Sequence, residues 1–264
     1  MDNLTALAQL NARIKEIYHE QELTSLRGTT KDENSRWLFD GVNLHNKYYT
    51  ATQQEEGFFR MDIFNELVEL SDQIVYFTAH TFMYREHINN PVNHRVHPDG
   101  YDKPLLLNYQ NMPAKRYNAY LDTVAEKFYA YWMRLGHLLN HYLPKPLPAQ
   151  AVNFSIVMDQ FDRHMKAFHQ NEGYIWLKAY KENQMKEFNR ERSTIVHHIT
   201  TGTAFSAQHL STDPDEMEKV MAERLSRPEY FRDHIQLSLT ALSKALDMIA
   251  EINPPPLMEV EATV

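Results

Sequence analysis

The chain has 264 residues, a formal net charge of −8 and no cysteine. This length can bury a large core without covalent staples, and the lack of cysteine excludes disulfides, thiolate metal sites and thiol nucleophiles. The acidic balance disfavours broad coating of a phosphate backbone, although a local basic strip could still bind a short single strand. The sequence shows no secretory signal pattern and no apolar stretch long enough to cross a bilayer. It therefore predicts a soluble, cytoplasmic protein without a membrane partner.

Helical periodicity dominates the first part of the chain. Only seven glycines occur, and this scarcity favours long helices over turn-rich strands. Apolar residues repeat at helical spacing between Asp2 and Gly28, and a second helix is predicted over about residues 34–54. The longest helical run covers residues 58–89. Residues 90–113 break the periodicity with four prolines and one glycine, which predicts a long loop of the kind that often covers a site.

The remainder of the chain continues the helical pattern. A helix is predicted over about residues 113–143, because Pro113 suits the first turn of a helix and three closely spaced prolines follow residue 143 and end it. Further helices are predicted over about residues 152–169 and 174–200. Pro214 then begins another helix, and Pro228 opens the last one, which stops at a run of three prolines.

These elements predict an all-α fold, an antiparallel helical bundle of six to eight helices with long central helices. We expect residues 1–57 to form a helical addition packed on the core, residues 58–252 to form the bundle, and residues 253–264 to be a disordered acidic tail. The sequence contains no glycine-rich phosphate loop, nucleophile elbow or zinc-protease motif, and it indicates no cofactor.

Two pairs of histidines share helix faces. His137 and His141 are four residues apart, so both could bind one metal ion. They lack a third and a fourth ligand, and they equally suit the last turn of a helix as cations. The pair is therefore a metal hypothesis with an incomplete ligand set. His80 and His87, seven residues apart, are expected to pack among neighbouring aromatic residues.

The most informative stretch is Arg192-Ser193-Thr194-Ile195-Val196-His197, late in the predicted helix over residues 174–200. An arginine, a small polar residue, two aliphatic residues and a histidine follow in order. This stretch resembles the signature of the HEPN superfamily, in which four to six residues separate an arginine from a following histidine on a late helix of a small bundle. The resemblance is local in sequence, and helical periodicity over residues 58–252 accompanies it.

The resemblance implies a metal-independent endoribonuclease or RNA-binding protein with Arg192 and His197 in its site. Members of the superfamily form homodimers in which two copies of the motif share one cleft. The implied partners are thus single-stranded RNA and a second copy of the chain, and not DNA. Ser193 departs from the asparagine, aspartate or histidine that is commoner after the arginine. Ile199 stands where some members carry a tyrosine that is modified in toxin–antitoxin pairs.

Spacing alone does not single out this motif. Outside residues 190–198, four more pairs satisfy it: Arg13 with His19, Arg134 with His141, Arg163 with His169, and Arg227 with His234. Apolar residues follow the first two arginines and a proline follows Arg227, whereas Arg163 is followed by a histidine and stays a rival. Only Arg192 combines a polar neighbour, an aliphatic pair and a late helix.

Helix geometry gives an independent argument about the arginine. At about 100° per residue, Arg190, Ser193 and His197 line one stripe of the helix, whereas Phe188 lies on a different stripe that should face the core. Arg192 lies at the edge of the apolar stripe, so Arg190 is better directed toward His197. We therefore retain both arginines as catalytic candidates together with Ser193 and His197.

The chemistry expected of these residues needs no metal ion. His197 could accept the 2′-hydroxyl proton of RNA while a guanidinium stabilises the charge on the phosphorane, which would leave a 2′,3′-cyclic phosphate. An alternative stays open, because Glu187 and Glu191 can pair with the arginines on a solvated helix face. The protein would then be non-catalytic and would bind a partner or a nucleotide. A basic rim around His197 favours the enzyme, and a buried His197 favours the alternative.

Overall fold

The computed structural model describes residues 3–28, 37–52, 59–90, 93, 95–96, 99–100, 105–106, 111–197 and 214–252, without the side chains of residues 59–60, 95–96, 105–106 and 191–197. α-Helices account for most of this part of the chain, and two short two-stranded ribbons accompany them. The predicted all-α class is confirmed. None of the described helices combines the length and the apolar character that crossing a lipid bilayer requires.

The helices and strands follow one another along the chain in this order. The first elements are α1 (Asn3–Glu20), β1 (Leu38–Phe39), β2 (Val42–Asn43), α2 (Leu44–Thr52) and α3 (Phe59–Arg85). The next are β3 (Arg95–Val96), β4 (Leu105–Leu106) and α4 (Met112–Asn140). The last are α5 (Phe154–His164), α6 (Glu172–Glu182), α7 (Gln184–His197), α8 (Pro214–Leu225) and α9 (Arg227–Ile252).

The chain divides into two compact units. Unit 1 consists of Met1–Ser25, Asp72–Tyr129 and Glu187–Gln236, and unit 2 of Leu26–Ser71, Ala130–Lys186 and Leu237–Val264. The helices α3, α4 and α9 each contribute residues to both units. The expected division into residues 1–57, 58–252 and 253–264 stays a prediction, and the last of these segments lies outside the described residues.

Unit 1 contains the antiparallel halves of α3 and α4. Arg116 donates a hydrogen bond to Tyr84 Oη at 3.1 Å, and Phe77 stacks beside Tyr120 with ring centroids 5.7 Å apart. The second contact lies earlier on α3 and later on α4 than the first, so the two helices run in opposite directions here. Phe128 continues the apolar face of α4 and is fully buried, as expected for a wide apolar stripe on a bundle helix.

Unit 2 is centred on Trp132 of α4. Its indole ring stacks on Tyr180 of α6 with centroids 4.2 Å apart, and its centroid lies 4.9 Å from that of Phe154 on α5. Gly173 lets α6 approach α9 closely, because a Cβ atom at this position would lie 2.3 Å from the carbonyl oxygen of Lys244. The two helices can therefore pack this closely because Gly173 has no side chain.

A hairpin replaces the first part of the helix predicted over residues 34–54. Strands β1 and β2 pair antiparallel, and the two residues between them, Asp40 and Gly41, have φ values of 52° and 75°. Positive φ at both positions is typical of the tight turn that Asp-Gly favours between strands. The prediction of one helix was wrong here, because this dipeptide favours the turn, and α2 begins only at Leu44. Residues 29–36 lie outside the described part.

Asn183 divides the helix predicted over residues 174–200. It takes φ −106° and ψ −84°, and its side-chain Nδ2 donates a hydrogen bond to the carbonyl oxygen of Ala179 at 2.9 Å. An asparagine side chain that binds a carbonyl of the last turn competes with continuation of the helix. The single predicted helix is thus two helices, α6 and α7. Its expected end at Gly202 lies outside the described residues.

The structure modifies one predicted loop and one predicted helix. In the segment 90–113, predicted as an aperiodic loop, β3 and β4 pair antiparallel with Arg95 opposite Leu106. His94 and His97 lie outside the described residues. The helix predicted over residues 152–169 ends earlier than expected, because α5 stops at His164 and a short 3-10 turn follows.

Candidate functional site

The helix α7 carries the Arg192–His197 stretch, and Phe188 anchors this helix in unit 1. The Phe188 side chain is buried, and its ring centroid lies 6.2 Å from that of Phe128 and 5.9 Å from that of His234. Phe128 also stacks on Phe231 of α9 at 5.9 Å. The expectation that Phe188 faces the core is confirmed. This contact fixes the rotation of α7 about its own axis.

The four predicted catalytic residues belong to α7. Arg190 is exposed, two residues after the buried Phe188. Arg192, Ser193 and His197 have a helical backbone, and their side chains lie outside the described part of the structure. The catalytic roles of these residues therefore stay predictions. What the structure adds is the helix on which they lie and the orientation of its beginning.

The histidine of the competing Arg227–His234 pair lies beside Phe188, the anchor of α7. His234 of α9 is 6% exposed, and its ring centroid lies 4.1 Å from that of Tyr230 and close to that of Phe188. Its Nδ1 is 3.0 Å from the carbonyl oxygen of Tyr230, which can only accept a hydrogen bond, so Nδ1 carries the proton. Burial lowers the pKa of His234. A neutral, enclosed imidazole of this kind is a packing residue and not a base that meets solvent.

The competing arginine–histidine pairs belong to other networks. Three of the competing arginines contact carboxylates: Arg13 with Glu20 at 3.0 Å, Arg134 with Glu66 at 3.4 Å, and Arg227 with Glu223 at 3.3 Å. The rival His169 stacks on Tyr174 with centroids 4.9 Å apart, and its Nε2 lies 3.8 Å from Asp162. Lys178 Nζ and Tyr174 Oη each donate a hydrogen bond to that carboxylate at 2.6 Å, and they lower its pKa to about 2. This network links α5 and α6.

Arg224 is a buried charge that the sequence analysis missed. The residue is 6% exposed, its Nη2 donates a hydrogen bond to Asn118 Oδ1 at 2.6 Å, and its guanidinium carbon lies 5.6 Å from the ring centroid of Tyr117. Tyr117 Oη in turn donates to the carbonyl oxygen of Arg224 at 2.7 Å. Burial lowers the pKa of Arg224 to about 10. Its spacing from the buried Met217 and Met221 on α8, at i+7 and i+3, was the available signal of burial.

The histidine pairs do not assemble a metal centre within the described residues, where no three histidine, aspartate or glutamate side chains converge. His137 is half-buried, and burial lowers its pKa, with a smaller effect from the cationic Arg134. His141 is exposed, and the metal hypothesis for this pair stays without a third ligand. The expected packing of His80 among aromatic rings is confirmed, whereas His87 is exposed.

Unit 1 also contains an open cleft of about 620 Å³, lined by Glu20, Gln21, Glu22, Arg232, Asp233 and Gln236. Three carboxylates face a single guanidinium there, and Arg232 Nε donates a hydrogen bond to Asp233 at 3.1 Å. Such a lining repels phosphate groups. This cleft therefore does not suit an RNA strand, and the exposed face of α7 is the better candidate.

The fold and the site define an all-α protein with a polar, arginine-bearing face on a late helix. No family model, curated protein or solved structure matches the chain. The HEPN resemblance accordingly stays a prediction that the residues of α7 carry.

Proposed function

We propose that this protein is a metal-independent, RNA-cleaving protein of the HEPN type, with the outward face of α7 as its active surface. The observation that carries the proposal is the pairing of a buried Phe188 with an exposed Arg190 at the start of that helix. Positions 193 and 197 follow on the stripe of Arg190, roughly 140–180° around the axis from Phe188. A core-facing anchor with a polar stripe on the opposite side is the arrangement that an active surface on α7 needs.

Each residue of the stripe has a defined chemical role in the proposal. His197 accepts the proton of a ribose 2′-hydroxyl, so that this oxygen attacks the adjacent phosphorus and the 5′-oxygen of the next nucleotide leaves. The leaving oxygen takes a proton from water, and His197 returns its own proton to solvent. Arg190 or Arg192 donates hydrogen bonds to the phosphate oxygens as negative charge develops on them. Ser193 lies between Arg190 and His197 on the stripe and supplies a hydroxyl donor. The products are a 2′,3′-cyclic phosphate and a 5′-hydroxyl end.

The proposal includes a homodimer. One α7 stripe offers a base and one or two cations, and two copies related by a two-fold axis would present both sets to one strand. The chain as a whole is acidic, so a local concentration of arginines is needed to hold a phosphate backbone. Sedimentation equilibrium at micromolar concentration should report a dimer, and a strict monomer would remove the composite site.

The test is cleavage of single-stranded RNA in EDTA by the full chain. The wild type should produce cyclic phosphate ends, and His197→Ala should lower the rate by roughly a hundredfold or more, the usual worth of a positioned acid or base. Arg190→Ala and Arg192→Ala, made separately, identify the arginine that contacts phosphate, and the loss should be roughly a hundredfold for that one.

Lys145→Ala is the control, because Lys145 is an exposed cation that lies outside α7. It should cleave at the wild-type rate. Melting temperatures of all variants separate lost chemistry from lost folding. Equal cleavage by wild type and His197→Ala would assign the activity to a contaminant and would favour the non-catalytic alternative.

A further inference from the structure

An aromatic ridge runs along the antiparallel halves of α3 and α4 in unit 1. We define it by Tyr76, Phe77, Tyr84 and Tyr120, with Arg116 at one end. The Tyr84 and Tyr120 rings are nearly parallel, with centroids 5.8 Å apart and an interplanar angle of 14°, and the Phe77 ring stacks with Tyr120 at an interplanar angle of 28°. The Arg116 guanidinium carbon lies 5.6 Å from the Tyr84 ring centroid. The result is a row of rings that ends in a cation.

Part of this ridge meets solvent. Tyr76 is 45% exposed, and Phe77, Tyr84 and Tyr120 are half-buried, whereas core rings of the same unit such as Phe128 are fully buried. The row is held from below by His80, which is 3% exposed and has its Nδ1 2.9 Å from the carbonyl oxygen of Tyr76. Burial lowers the pKa of His80, so its imidazole is neutral and packs as another ring.

Charge is distributed unevenly along the ridge. At the Tyr84 end, Arg116 and its neighbour Lys115 are both exposed. Asp72 is the acid at the other end, one helical turn before Tyr76 on α3. Glu86 is also exposed near the basic end, so the ridge is not a broad basic patch. Its recognisable chemistry is a set of aromatic faces and edges beside the Arg116 guanidinium.

We infer that the aromatic ridge is a binding site for single-stranded RNA, in which one or two bases stack on the exposed rings and Arg116 contacts a backbone phosphate. Aromatic faces accept any base, and they are sequence-tolerant platforms for single strands when a cation accompanies them. A duplex would not fit this chemistry, because its bases already stack on each other. The inference rests on the proposed function for the choice of RNA, and it names the surface that holds the strand while α7 cuts it.

The experiment measures RNA binding apart from cleavage. Fluorescence anisotropy with a labelled oligoadenylate of about a dozen nucleotides is recorded in EDTA and low salt, with the full-length His197→Ala chain as the reference. A strand of the same length and charge that lacks bases is the second probe. The reference protein should bind the intact strand at least roughly fivefold more tightly than the abasic strand, which is the usual worth of a single stacked base.

Variants of the ridge then locate the effect. Tyr76→Phe keeps the ring and should bind like the reference, whereas Tyr76→Leu keeps apolar area without a ring and should lose roughly fivefold or more in affinity. Arg116→Ala should weaken binding and flatten its dependence on salt. Tyr49→Ala is the matched control, since Tyr49 is a 64% exposed tyrosine on α2 of the other unit, and it should change nothing.

Equal affinity for the intact and abasic strands overturns the inference, and so does wild-type-like binding by Tyr76→Leu. Absence of any RNA binding overturns it as well and would favour a protein partner at these rings. The outcome does not depend on catalysis. A chain that binds RNA through the ridge without cutting it would contradict the proposed cleavage and would still support the ridge as a binding site. Circular dichroism of each variant confirms that it is folded.

Discussion

Phe188 should be the residue on which the position of α7 depends. Its phenyl ring is buried against Phe128 and His234, and Phe128 continues the contact to Phe231. Truncation of a buried phenylalanine to alanine costs about 3–5 kcal/mol in free energy of unfolding. For a chain of this size, about 2–4 °C of melting temperature accompany each kcal/mol, so Phe188→Ala should melt roughly 6–20 °C below the wild type.

The assay is thermal unfolding monitored by circular dichroism at a helical band, and RNA cleavage is measured well below the melting temperature. Phe188→Leu keeps most of the apolar volume and should lose only about 1–2 kcal/mol. Lys186→Ala, an exposed neighbour on α7, should melt like the wild type. If Phe188→Ala melts within about 2 °C of the wild type, Phe188 does not anchor α7, and the outward orientation of Arg190 loses its structural basis.

Two further predictions concern packing and acid stability. Gly173→Ala should destabilise the chain by about 1–3 kcal/mol, because the new Cβ would lie 2.3 Å from the carbonyl oxygen of Lys244. The control Glu172→Ala, on the same turn, should leave the melting temperature nearly unchanged. A higher melting temperature for Gly173→Ala would contradict the close approach of α6 and α9. Burial lowers the pKa of His234 below its ordinary 6.5, so the imidazole binds a proton more tightly in the unfolded chain than in the folded one. The folded state therefore keeps its full stability above pH 6.5 and loses part of it as the pH falls further. The free energy of unfolding of His234→Phe, measured by urea titration, should therefore fall less steeply than that of the wild type as the pH is lowered from about 7 to about 5. An unchanged slope would mean that His234 does not contribute to the pH dependence.

The long helices could be predicted from the sequence because their apolar stripes repeat over many turns. The breaks in shorter elements were harder to predict. The Asp40-Gly41 turn was a readable signal that the helical spacing around it obscured. Asn183 carried no comparable signal, since an asparagine within a helical pattern ends a helix only when its side chain finds a carbonyl such as that of Ala179. That hydrogen bond depends on the local conformation, which composition does not reveal.

The candidate site was predictable only in part. The inward position of Phe188 followed from its place in the helical period, and the exposed Arg190 agrees with the same period. The burial of His234 and Arg224 depends on which helices pack together, and a single helix pattern does not specify its neighbours. The aromatic ridge could not be predicted for the same reason, because it combines residues of α3 and α4. Its row of stacked rings exists only once the two helices lie side by side.

The central claim is that a group on α7 activates a ribose 2′-hydroxyl without a metal ion. The most direct measurement uses one RNA strand with a mapped cleavage position and the same strand with a single 2′-deoxy nucleotide at that position. In EDTA, the wild-type chain should cut the first strand to a 2′,3′-cyclic phosphate and leave the second uncut at that bond, because the attacking oxygen is missing. Cleavage of both strands at the same bond would contradict the account, and so would cleavage that requires added divalent metal.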